Sequence, residues 1–164
     1  MSFLLRTLIV LVIPTVVFGQ GQTIVDSLKS EIRKTNRMLE TSKAEAMRLE
    51  YLLTAKEMAV RSMELKDSLF QGLVAIQAYK FNIAHNGYPT DIDIYRAMYI
   101  SLKRLSDTMI MTMDYNADMR DKKLPEKMKE MADKLCSKLK RNMTLEQWNK
   151  FASQLPYEAT CSFK

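Results

Sequence analysis

The clearest indication of the fold comes from residues 23–66, TIVDSLKSEIRKTNRMLETSKAEAMRLEYLLTAKEMAVRSMELK. This stretch contains no glycine and no proline. It consists mainly of Leu, Met, Ala, Glu, Lys and Arg, which have high helix propensities. Apolar residues recur within it at spacings of three and four, and we call this row the seam. Its apolar members are Val25, Leu28, Ile32, Leu39, Ala46, Leu49, Leu53, Val60 and Met63. The pattern predicts a long amphipathic helix or coiled coil over residues 20–66.

The seam is weakest in its middle and near its end. Thr35 and Ser42 are polar, and Lys56 interrupts the row. Two hypotheses follow: the seam mediates self-association, or a single helix packs only its second half on the helices that come after it. Lysines and arginines are interleaved with glutamates along the rest of the helix, so no nucleic-acid-binding stripe is expected.

The composition of the 164-residue chain excludes several protein classes. Four glycines and four prolines are too few for the turns of an all-β protein, so we predict an all-α fold. Neither GxGxxG nor GxxxxGK[ST] occurs, which removes the usual phosphate-binding loops. His85 is the only histidine, which excludes histidine-based zinc sites and catalytic triads. Its expected role is to cap the end of a helix. No enzymatic activity and no cofactor are predicted.

Residues 1–19, MSFLLRTLIVLVIPTVVFG, have the layout of a secretory signal peptide. Arg6 precedes an uncharged, mostly apolar run, residues 7–18, and the small residue Gly19 stands at the expected cleavage site. The run is shorter than the roughly 20 residues of a membrane-spanning helix and contains Pro14. We therefore expect a secreted or periplasmic protein, with an uncleaved membrane anchor as the alternative.

The pattern of residues 67–105 predicts a helical hairpin. Asp67 and Ser68 cap a helix from Leu69 to about His85, and a third helix starts near Asp91. In the turn between them, Gly87 is expected to take a positive φ. The acidic pair Asp91 and Asp93 suits the positive end of the third helix, which explains it without catalysis. The predicted core of the helical body is Leu73, Ile76, Tyr79, Phe81, Tyr95, Leu102, Trp148 and Phe151.

Residues 124–164 predict a helical tail. One helix opens at Leu124 and Pro125 and runs to about Arg141, and a capping box at Thr144 starts a short helix to about Ser153. Cys136 and Cys161 are the only cysteines, and an even number in an exported chain favours a disulfide over two buried thiols.

A basic patch lies near the end of the first tail helix. It consists of Lys134, Lys138, Lys140 and Arg141. We interpret it as a solvated helix end whose charges complement the helix dipole. Weak contact with an anionic membrane surface is the alternative, and nucleic acid is not an expected partner.

The bridge, residues 106–123, offers a second functional hypothesis. Met109, Met111 and Met113 alternate, and Met119 follows. In an exported protein, thioethers in this pattern suit Cu(I), so the alternative function is a periplasmic copper or small-ligand binding protein. The competing explanation is that methionine, which occurs 13 times in the chain, fills the core.

Two segments resemble the helices that flank the propeller in bacterial WD40-repeat proteins. The first is residues 55–105, with AIQAYKFN at 75–82, and the second is residues 132–161, with RNMTLEQW at 141–148 and PYEATC at 156–161. The propeller itself is missing, because only residues 106–131 separate the segments and no WD dipeptide occurs. The resemblance implies a structural helical packing role. The sequence thus predicts a non-enzymatic, exported module for protein–protein interaction or self-assembly.

Overall fold

The computed structural model describes residues 2–106 and 123–163, with side chains from Thr23 onward. All regular secondary structure in these residues is helical, which confirms the predicted all-α class. The helices are α1 (Ser2–Ser62), α2 (Ser68–Ala84), α3 (Ile92–Leu105), α4 (Leu124–Lys138) and α5 (Leu145–Ala152). A long N-terminal helix followed by a small bundle is therefore the observed architecture.

The chain divides into two units, residues 1–46 and residues 47–164. In the first unit, every side chain from Thr23 to Ala46 is exposed. Its side-chain contacts include Thr41 Oγ1 donating to Arg37 O at 2.9 Å and an ion pair between Lys43 and Glu40 at 3.3 Å. Burial does not stabilise this part of α1, so its helicity rests on intrinsic propensity and local pairs.

The second unit is built around α2. This helix is buried on most of its circumference, since Leu73, Val74, Ile76 and Phe81 are all inaccessible. α2 packs against α3 and α4, and α3 packs against α4. A short helix that is apolar nearly all round belongs at the centre of a bundle. The predicted core residues are buried, except that Tyr79 is only partly so.

Aromatic contacts join the C-terminal tail to the bundle. The Trp148 ring meets Phe81 edge-on, with centroids 5.7 Å apart, and lies 5.2 Å from Tyr157. Trp148 Nε1 donates to Leu155 O at 3.1 Å, so the buried indole keeps its hydrogen bond. Phe151 packs edge-on against Phe70 at 5.6 Å. These contacts hold α5 against α2.

Helices α2, α3 and α5 begin at the residues that the sequence predicts as caps. Asp67 Oδ1 accepts from the backbone N–H groups of Leu69 and Phe70, and Asp91 caps α3 in the same way. At α5, Thr144 and Gln147 form both hydrogen bonds of a capping box. Each such cap contributes about 1 kcal/mol.

The turn after α2 corrects one prediction. Asn86, not Gly87, takes the positive φ, at 53°. Gly87 N donates to Asn82 O at 2.7 Å and Asn86 N to Ile83 O at 3.3 Å, which is the Schellman arrangement. Gly87 is needed for space instead, because a Cβ there would lie 2.0 Å from Asn82 Oδ1 and 2.7 Å from Leu52 Cδ2.

Two helices end earlier than predicted. α1 ends at Ser62 rather than Lys66, and the freed carbonyl of Leu65 accepts from Arg104 Nη1 at 2.8 Å. α4 ends at Lys138 rather than Arg141, because Leu139 turns into an extended conformation that buries its side chain. In both cases a tertiary contact replaces the final turn.

Candidate functional site

The apolar face of α1 that the seam predicts is exposed in the structure. Seven aliphatic seam residues keep between 43% and 72% of their surface accessible. They are Val25, Leu28, Ile32, Leu39, Leu49, Leu53 and Val60. An aliphatic row at heptad spacing is normally covered, so this surface is the first candidate for function.

Within the second unit, residues 47–62 of α1 are covered on the side opposite the seam. Tyr51, Ala55, Met58 and Ala59 are buried there, together with Thr54 and Ser62. At 3.6 residues per turn, these positions lie roughly half a turn around the helix from Leu49, Leu53 and Val60. Tyr51 contacts Phe81 of α2 with ring centroids 5.0 Å apart, and the Arg61 guanidinium lies 4.4 Å from the ring centroid of Phe151 in α5, which leaves the seam side uncovered within the second unit. The second half of α1 thus packs on the following helices through the side opposite the seam, and this packing does not exclude self-association through the seam.

Lys56 interrupts the seam because it pairs with the start of α3. Its Nζ lies 3.5 Å from Asp91 Oδ2 and 3.7 Å from Asp93 Oδ2. Asp91 also caps α3, so the acidic pair has the helix-end role that the sequence predicts. Lys56 is more than half exposed, and such a surface pair contributes less than about 1 kcal/mol.

His85 occupies the C-cap of α2, as expected from the sequence. Its ring stacks on Tyr51, with centroids 3.8 Å apart and planes 14° from parallel. Its carbonyl accepts from Arg48 Nη1 at 3.2 Å. The residue therefore joins the end of α2 to α1. Burial raises the pKa of the Tyr51 phenol, and the nearby carboxylates of Glu158 and Glu50 raise it further.

Cys136 and Cys161 form the predicted disulfide, with an S–S distance of 2.03 Å. Asn142 holds the same segment, since its Oδ1 accepts from Cys161 N at 2.7 Å and its Nδ2 donates to Cys161 O at 3.1 Å. Tyr157 Oη donates to Met143 O at 2.8 Å. The sequence points to the cap at Thr144 but carries no signal for the bridging role of Asn142, which depends on the fold.

The structure brings part of the basic patch to an apolar cavity of about 360 Å³. The cavity is lined by Leu69, Leu73, Lys138, Leu139, Lys140 and Arg141. Lys134 does not line it, and its Nζ pairs with Glu130 Oε1 at 2.6 Å. The sequence predicts the basic residues but not the cavity, because the leucines come from α2 and from the residue after α4, which only the fold places together.

A second cavity of about 530 Å³ lies beside the disulfide. Its cations already have partners: Lys80 Nζ donates to Ala159 O at 2.7 Å, and Lys129 Nζ pairs with Asp133 Oδ2 at 2.8 Å. The hydrogen bond with Asp133 raises the pKa of Lys129. Burial raises the pKa of the Tyr79 phenol, and the charge of Lys129 partly opposes that rise.

Metal binding is one hypothesis that the sequence raises. Residues 23–106 and 123–163 contain no group of three or more His, Cys, Asp or Glu side chains that would hold a metal ion. The copper hypothesis rests on Met109, Met111 and Met113, which lie outside the described residues. In the same described residues, no helix is long and apolar enough to span a membrane.

Comparison with family models, with curated proteins and with solved structures found no match. The resemblance to the helices that flank WD40 propellers therefore stays a prediction from the residues alone.

Proposed function

We propose that the protein is a non-enzymatic assembly module, in which the seam of α1 pairs with the seam of a second copy. One observation carries the proposal: the seam residues are exposed although their spacing is that of a buried interface. In residues 23–46 these are Val25, Leu28, Ile32 and Leu39, and in residues 47–62 Leu49 and Leu53 continue the spacing.

A second copy is a suitable partner on energetic grounds. Burying the exposed half of an aliphatic side chain contributes about 1 kcal/mol, so pairing the rows of two chains contributes on the order of 10 kcal/mol. Association costs about 4–15 kcal/mol in lost translational and rotational freedom. The two quantities are comparable, so we expect a reversible dimer or small oligomer. Thr35 and Ser42 weaken the middle of the row and keep the affinity moderate.

The mass of the chain from Gln20 onward, measured by light scattering during size exclusion, tests this proposal. We expect a concentration-dependent dimer or higher oligomer. Leu39→Glu places a carboxylate in the seam and should give a monomer. Met47→Glu is the matched control, because Met47 is also exposed but lies outside the seam spacing. A monomeric parent chain, or equal loss of assembly in both variants, would contradict the proposal.

We further propose that the protein is exported. The disulfide between Cys136 and Cys161 supports an oxidising compartment. Signal-peptide cleavage after Gly19 predicts a mature chain that begins at Gln20, and the cut would fall within α1 as the structure describes it. N-terminal sequencing of the protein from its native cells tests this, and a chain that retains residues 1–19 would favour the membrane anchor.

A further inference from the structure

The cavity between α2 and the end of α4 has chemistry that assembly through α1 does not use. Leu69 and Leu73 come from the first turns of α2, and Leu139 follows the end of α4. Leu73 and Leu139 are buried, whereas half of the Leu69 surface is exposed. The leucines thus form apolar walls with one accessible side. A volume of about 360 Å³ is within the range of small-molecule sites.

The remaining lining residues are Lys138, Lys140 and Arg141, and no carboxylate lines the cavity. In the part of the chain that the structure describes, these three cations form no ion pair with Asp or Glu. Arg141 Nη1 donates instead to two uncharged acceptors, Asn142 O at 3.1 Å and Gln147 Oε1 at 2.9 Å. Three positive charges without a carboxylate partner therefore line one apolar cavity.

This charge distribution differs from that of nearby lysines. Lys134 pairs with Glu130 on α4, and Lys150 pairs with Glu146 on α5. Lys138 lies in the last turn of α4, where it offsets the partial negative charge of the helix end. Lys140 and Arg141 follow the helix and add charge beyond that requirement. A ligand that complements both the charges and the walls has an anionic head and an alkyl chain.

We propose that this cavity binds a free anionic amphiphile with one alkyl chain, such as a long-chain carboxylate. The carboxylate would lie among Lys138, Lys140 and Arg141, whose guanidinium suits two parallel hydrogen bonds to a carboxylate. The first part of the chain would lie mainly against Leu69, with Leu73 and Leu139 forming the floor behind it. A flat bilayer would meet the exposed charges but would not enter the recess, so a single alkyl chain is the better fit. The proposal does not involve α1 and is independent of assembly.

Titration of the disulfide-bonded chain with dodecanoate, below its micelle concentration, tests the proposal. Calorimetry measures the affinity, and methyl NMR shows whether Leu69, Leu73 and Leu139 respond. We expect saturable binding of one molecule, with shifts at these methyl groups. Dodecyltrimethylammonium has the same chain with a positive head and should bind at least tenfold more weakly. Acetate, which lacks the chain, should not bind measurably.

A pair of double variants separates the site from general charge. Lys138→Gln with Lys140→Gln should weaken dodecanoate binding at least tenfold. Lys134→Gln with Lys150→Gln removes the same charge elsewhere and should change the affinity less than twofold. All four lysines are wholly or partly exposed, so both variants should fold, and Trp148 fluorescence tests this.

Three outcomes would overturn the proposal. The first is equal binding of the anionic and the cationic amphiphile. The second is equal weakening by the two double variants. The third is binding to phosphatidylglycerol vesicles without saturable binding of dodecanoate, which would make the surface a membrane contact instead.

Discussion

Reduction of the Cys136–Cys161 disulfide should lower the free energy of unfolding of the helical body by about 3.5 kcal/mol. The two cysteines are 25 positions apart, so the bond closes a loop of about that length in the unfolded chain. In the chain-entropy relation such a loop removes about 12 cal/mol/K from the unfolded state, which gives about 3.5 kcal/mol at 25 °C. For a body of this size the melting temperature should fall by roughly 14 °C.

The estimate assumes that the tail stays in place after reduction, and the structure provides contacts that support this. Asn142 makes two hydrogen bonds with the backbone of Cys161, and Trp148 donates to Leu155 O. Asn142→Ala should therefore cost about 2 kcal/mol, because it removes both bonds. This cost should be the same in oxidised and reduced protein, since the disulfide acts on the unfolded chain and Asn142 acts on the folded one.

Urea unfolding followed by fluorescence measures both effects, because Trp148 is the only tryptophan and is buried. Cys136→Ser with Cys161→Ser, measured without reductant, controls for effects of the reductant itself. A loss below about 1 kcal/mol in both the reduced and the double-serine protein would refute the entropic argument. A cost of Asn142→Ala that disappears on reduction would show that the tail had detached, and it would refute the assumption.

Two further substitutions test local features of the fold by the same urea assay. Gly87→Ala should lower the free energy of unfolding by about 2 kcal/mol, because the new Cβ would displace the side chain of Asn82. That side chain donates from Nδ2 to Tyr88 O at 2.8 Å. An unchanged urea midpoint would show that the turn adapts freely. Thr144→Ala should lower the free energy of unfolding by about 1 kcal/mol, because it removes half of the capping box with Gln147. Thr144→Ser keeps the hydroxyl and should retain most of the stability. Equal losses in the two variants would contradict the capping role.

The features of the fold that the sequence predicts correctly depend on interactions between residues close together in the chain. Asp67, Asp91 and Thr144 start their helices because each side chain bonds to backbone groups two or three residues away. Gly87 shows the limit of such reasoning. Glycine favours positive φ in general, but here Asn86 takes that conformation, and the position of Asn82 makes glycine necessary at the next residue.

The candidate sites also differ in whether the sequence could predict them. The seam and the basic patch could be predicted, because spacing along one helix and charge in one segment are properties of the sequence. The cavity could not, because Leu69 and Leu139 are far apart in the chain and only the packing of α2 against α4 brings them together. The hydrogen bonds between Asn142 and Cys161 form only where the C-terminal tail folds back onto the end of α4. They could not be predicted from the sequence either.

The sequence alone is enough to predict that the protein is helical, where its shorter helices begin and which aliphatic residues form a row on α1. Propensity, capping and periodicity act over a few residues, so they can be read without the fold. The sequence does not predict which side of α1 is covered in residues 47–62, because that depends on the packing of the other helices. Tyr51 and Met58 lie on one side, Leu49 and Leu53 lie on the other, and both sides have apolar residues to bury. Within the second unit, the following helices pack on the side of Tyr51 and leave Leu49 and Leu53 exposed, because burial depends on which neighbouring helix is present and not on periodicity.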